Sequence, residues 1–129
     1  MNGWLLTAGG IAAATTLIHA TAGSRSVVRP LLGSELAAEP KRTLHVVWHM
    51  VTADLLFSSI ALLVLSFTAA PGTALVVFIA AHYLAYAAVF LTVTLAADWP
   101  RPLLQLPQWM LLLPVAVLAF IGTGVSFSA

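Results

Sequence analysis

Eight of the nine formally charged residues of this 129-residue chain fall in two short intervals, 23–43 and 98–106, and the ninth, Asp54, stands alone. The rest of the chain is divided into apolar runs of the length a bilayer demands. A membrane helix needs roughly 20 apolar residues to cross the hydrocarbon. Such runs are read at about 3–22, 44–67, 73–97 and 107–127. A chain that is 61% hydrophobic and 7% charged cannot cover itself for water, where a soluble domain carries about 25% charged residues. The expected fold is therefore all-α, an integral membrane bundle of four transmembrane helices in a single domain, with a cytoplasmic loop at 23–43.

The breaks between the runs have local causes. Pro71-Gly72 is a tight-turn dipeptide. Trp99-Pro100-Arg101-Pro102 cannot continue a helix, because proline lacks the N–H and clashes with the preceding turn. Pro107 suits the first turn of the next helix, where a missing N–H costs nothing. Orientation follows from charge. Arg25, Arg29, Lys41 and Arg42 lie between the first two runs and Arg101 between the last two, whereas the other side carries no Lys or Arg. The positive-inside rule makes the basic side cytoplasmic and puts both termini on the opposite side, the periplasm of a bacterium. Trp48, Trp99 and Trp109 then mark the cytoplasmic interface and Trp4 the outer one. Ala20-Thr21-Ala22 has the form of a signal-peptidase site, but no basic residue precedes the apolar run and arginines follow it, so a retained span is expected.

Packing signals are generic. Gly9, Ala13, Thr16 and Ala20 form a small-residue stripe at helical steps, the kind of surface on which membrane helices approach closely. Pro114 frees the carbonyl of Met110 and is expected to kink the last helix. In the 23–43 interval, Arg25 and Arg29 stand one helical turn apart, which lets the first helix extend to Pro30, and Ser34 is read as the cap of a short turn running to Glu39.

Two polar groups inside the spans carry possible chemistry. His45 and His49, four apart, share one face of the second helix, and His19 lies at a similar depth in the first. Three imidazoles at one boundary suit a divalent metal. His19 and His49 facing each other suit a haem. The alternative is that interfacial histidines simply match the headgroup zone. Arg25, Arg29, Trp48, Gln108 and Trp109 fall at the same boundary and extend the polar cluster. The second group is Asp54, near the midplane. A central carboxylate costs at least ~2.5–3.5 kcal/mol on insertion scales, so it must face a partner. His82 lies at nearly the same depth on the antiparallel third helix, with Tyr86 one turn further on, and an Asp54–His82 bond completed by Tyr86 or Ser58 is expected. It reads either as a clamp fixing the bundle or as a proton or small-ligand site.

Several classes are excluded or disfavoured. Without cysteine there is no disulfide, thiolate ligand or iron–sulfur cluster. A net charge of +1 gives no basic face for a nucleic acid. Walker, G-x-S-x-G and H-E-x-x-H motifs are absent, and no span pairs two carboxylates.

Three stretches carry a resemblance: Leu17-Ile18-His19-Ala20 leading to Arg25-Ser26-Val27-Val28-Arg29-Pro30-Leu31-Leu32, then Trp48-His49-Met50-Val51-Thr52, and Leu106-Pro107-Gln108-Trp109-Met110-Leu111-Leu112-Leu113-Pro114. Together they resemble a group of short four-span proteins of proteobacteria. The resemblance implies a bacterial inner-membrane address and no reaction. The leading expectation is a non-enzymatic protein that binds a ligand, a metal or a partner at the cytoplasmic-side cluster. Its partners are the bilayer and either further membrane subunits or a second copy. The rivals are a haem- or metal-dependent redox subunit using His19 and His49, and a proton-linked permeation element using Asp54 and His82. A visible spectrum and elemental analysis of the purified protein separate them.

Overall fold

A computed structural model describes residues 1–70 and 72–125. The described residues are helical, joined by short turns, with no strand. The first helix is much longer than its apolar run. It starts as α1 (Gly3–Ile18), continues as a π-helical segment (His19–Val28) and ends as α2 (Arg29–Gly33). After a turn at 34–37 come α3 (Ala38–Ser66), α4 (Thr73–Ala96), the single turn α5 (Pro102–Gln105) and α6 (Trp109–Val125). Three of these rods, Gly3–Gly33, α3 and α4, are long and apolar enough to cross a membrane, and the apolar stretch Trp109–Gly124 is shorter.

The polar interval 23–43 is thus mostly helix rather than a loop. Ser34 ends α2, its hydroxyl donating to the Leu31 carbonyl at 2.7 Å, instead of opening a new turn. Lys41 Nζ reaches back to the Ser34 carbonyl at 2.6 Å and closes the corner. Pro40 sits in the first turn of α3, where its ring is tolerated. At the far end of α4, Asp98 takes the left-handed conformation at φ 48° and ends the helix just before Trp99-Pro100. Pro71 and the segment from 126 on, where the fourth run was read to end near Phe127, lie outside the described residues.

The rods form a ring. α1 packs on α3 and on α6, and α6 packs on α4. α3 and α4 are consecutive in the chain yet make almost no close backbone approach, so one seam of the ring is wide. The tight seams have visible causes. A Cβ added at Gly9 would meet the Leu63 side chain at 2.9 Å and its backbone nitrogen at 3.0 Å, so glycine lets α1 and α3 touch. The packed stripe of α1 is Leu5, Ala8, Gly9, Ala12, Thr15 and Thr16. Ala20, expected on that stripe, is exposed, because the π-helical segment turns the face. Asn2 fastens one end of the ring. Its side-chain oxygen accepts from the N–H groups of Trp4 and Leu5 and so caps α1. Its side-chain nitrogen donates to the Gly122 carbonyl at 2.9 Å, and its backbone N–H donates to the Ser66 carbonyl at 2.7 Å. This Asn2 end is solid, filled by Leu5, Ala8, Leu62, Val76, Val115 and Ala119, all at most 1% exposed. The helix α6 runs unbroken through Pro114.

Candidate functional site

The half of the bundle that carries the basic residues is hollow. A cavity of about 750 Å³ lies among all the long helices, walled by Ile18, Ala22 and Leu31 of the first rod, Val47 and Val51 of α3, Val89 and Phe90 of α4, and Leu111 of α6. Along α3 it extends from Leu44 to Leu55, a depth of about 16 Å at the helical rise. Its lining stops near the level of Tyr86, where the tightly packed Asn2 end begins, and several of its wall residues, Ile18, Val47 and Val89 among them, are also exposed to the outside.

The π-helical segment supplies His19, Ala22, Gly23, Ser26 and Val27 to the lining of this space. Hydrogen bonds spanning five residues widen a helix and are uncommon outside functional regions. Thr21 and Ser26 hydroxyls bond the carbonyls four residues back, at 2.7 and 3.1 Å, as Thr15 and Thr16 do within regular α-helix. Gly23 adds the close approach. A Cβ there would fall 2.8 Å from the Trp48 ring, so the indole lies directly over the glycine. Trp48 also stacks on His19, with ring centroids 3.9 Å apart and planes 14° apart. Both line the cavity. Trp48 is therefore a wall of the hollow. Trp99 and Trp4 remain exposed, and Trp109 packs against the core while its N–H donates to the Leu103 carbonyl at 3.1 Å.

The polar points of the cavity are few. His19 Nε2 lies 3.4 Å from the Trp48 carbonyl. Ser26 and Gln108 line the wall, and Tyr86 sits at the inner end. Gln108 Oε1 is buried with no hydrogen-bond partner among the described residues. Arg25, on the segment that carries Ser26, and Arg29, the first residue of α2, are exposed, and neither makes an ion pair among the described residues.

The three boundary histidines do not form one site. His49 turns to His45, with their Nε2 atoms 3.1 Å apart, while His19 is engaged with Trp48. Among the described residues no three His, Asp or Glu side chains converge on a metal position. His19 and His49 engage different neighbours, Trp48 for the one and His45 for the other.

The midplane group does come together. Asp54 Oδ2 lies 3.1 Å from His82 Nε2 and accepts from the Tyr86 hydroxyl at 3.2 Å. Ser58 makes no bond to it. His82 and Tyr86 also touch edge to face, with centroids 4.4 Å apart. These side chains bridge the wide α3–α4 seam at a level where the backbones do not meet. Sequence reasoning missed Tyr83. It is fully buried, and its hydroxyl has no partner among the described residues. The neighbouring His82-x-x-x-Tyr86 pattern drew attention to the flank of α4, whereas Tyr83 points from its centre.

No family model, curated protein or solved structure matches this chain.

Proposed function

We propose that this chain is a four-span protein of a bacterial inner membrane that holds a lipid-soluble, amphipathic small molecule in the hollow half of its bundle and catalyses no reaction on it. In this reading α6 is the fourth span. Its 17 residues reach the lower end of the usable length range, and it packs on two of the longer rods. The basic residues face the cytoplasm and both termini face the periplasm.

The observation that carries the reading is the cavity itself, about 750 Å³. Its size and its apolar walls with a few polar points are those of a small-molecule site. The ligand body lies against Val51, Phe90 and Leu111. Its polar end meets Gln108, His19 and Ser26, and Arg25 and Arg29 flank the mouth. The solid packing around Leu5, Leu62 and Val115 disfavours a continuous path across the membrane, and with it the permeation reading.

The test is organic extraction and mass spectrometry of protein purified in a mild detergent, beside a variant with the hollow filled, Ala22→Trp. A lipid-soluble species released stoichiometrically from the parent and lost from the filled variant is the expected result. Equal release from both, at the level of bulk lipid, discards the reading.

A further inference from the structure

Asp54 and His82 pose a problem that their mutual bond does not solve. Their side chains remain 34% and 29% exposed, and neither lines the cavity. That exposure faces the bilayer interior, where a net charge is costly. A net-neutral Asp–His couple contains two titratable protons in all: carboxylate with imidazolium, or carboxylic acid with imidazole. One proton lies in the bond between Oδ2 and Nε2. The other sits on His82 Nδ1 or on Asp54 Oδ1, and neither atom has a partner among the described residues. In every neutral state the outer edge of the pair therefore offers one donor and one acceptor. An edge with one of each is complementary to its own image across a two-fold axis, where the same patch meets itself.

We infer that a second copy of this chain covers the α3–α4 seam, the Asp54–His82 edge of each protomer bonding that of its partner. The axis runs along the membrane normal, which keeps the basic intervals of both copies on one side. The neighbouring surface permits the approach. Ala81, Ala85 and Ala88 are exposed on the side of α4 opposite its buried residues Tyr83 and Ala87, and small side chains let helix backbones come close. A foreign helix would have to supply a donor and an acceptor at this depth, whereas a second copy supplies both by identity. This inference rests on the four-span reading and is independent of what the cavity binds.

The chain contains no cysteine, so single-cysteine variants report contact cleanly. Ala85→Cys is compared with Val117→Cys, on the lipid-exposed face of α6, in dilute proteoliposomes under a mild oxidant. Ala85→Cys should form disulfide dimers at least about tenfold faster, since held pairs react at an effective concentration far above that of diffusing copies. The double variant Asp54→Leu, His82→Leu, read by energy transfer between labelled copies, should self-associate about tenfold more weakly through loss of the symmetric bonds. Equal crosslinking at 85 and 117 overturns the proposal, as does unchanged association of the double variant. Crosslinking of residue 85 solely to a different protein in native membranes also overturns it.

Discussion

Breaking the Asp54–His82 contact from one side should cost more than removing it from both. In His82→Leu, Asp54 keeps the Tyr86 hydroxyl, 3.2 Å away, but loses its neutralising partner. It must then remain charged near the midplane or hold a proton with one bond fewer. A central carboxylate costs at least ~2.5–3.5 kcal/mol on insertion scales, and a membrane hydrogen bond contributes about 0.6–1.7 kcal/mol. Relaxation at a seam already one-third exposed reduces the sum, so about 2–4 kcal/mol of destabilisation is expected. Asp54→Leu strands two neutral donors that can turn to other acceptors, at about 1–2 kcal/mol. The double replacement removes the charge and both members of the pair, leaving the Tyr86 hydroxyl, and should cost no more than about 1 kcal/mol. The interaction energy in the cycle is then at least about 2 kcal/mol. The assay is equilibrium unfolding in mixed micelles, followed by tryptophan fluorescence and diluted until copies are separated. Single effects that add to the double within about 0.5 kcal/mol would show the two residues uncoupled and refute the reasoning.

Other outcomes follow from the same contacts. Gly9→Val should destabilise the bundle by about 1–3 kcal/mol, because the new side chain meets the Leu63 backbone nitrogen, which cannot yield as a side chain can; unfolding in the same micelles measures it. Reporter fusions in the 34–37 turn and after residue 129 should report opposite sides of the membrane, with the C-terminal one periplasmic, and a cytoplasmic C-terminus would discard the four-span topology. Trp48→Ala should remove the extractable ligand while Trp48→Phe retains most of it, since the wall needs an aromatic face over Gly23; mass spectrometry of the extracts decides. His49→Ala should change stability by less than about 0.5 kcal/mol, because His49 is exposed and bonds only His45 among the described residues.

The apolar runs and their breaks could be read from the sequence because a bilayer permits so few structures. Depth was readable for the same reason, and counting along antiparallel helices brought Asp54, His82 and Tyr86 to one level. What depth cannot supply is azimuth: His19 and His49 were read at one level, but that count does not say that His19 stacks on Trp48 while His49 turns to His45. The turn-spaced Arg25 and Arg29 allow the first helix to reach Pro30, and it runs on to Gly33; the π-helical form of that stretch and the wide α3–α4 seam leave no pattern in a single helix.

The ring closes between its first and last helices, and the bond from Asn2 to Gly122 spans 120 residues. α3 and α4 are made before α6, so the bond between Asp54 and His82 can form before the ring closes. Contacts so distant in the chain form late, after the loop-closure cost has been met. Until α6 is made and seated, the packed stripe of α1 has one of its two neighbours, and the hollow lacks the wall that carries Gln108 and Leu111. The space lined by Gln108 and Leu111 is therefore the last part of the molecule to be completed.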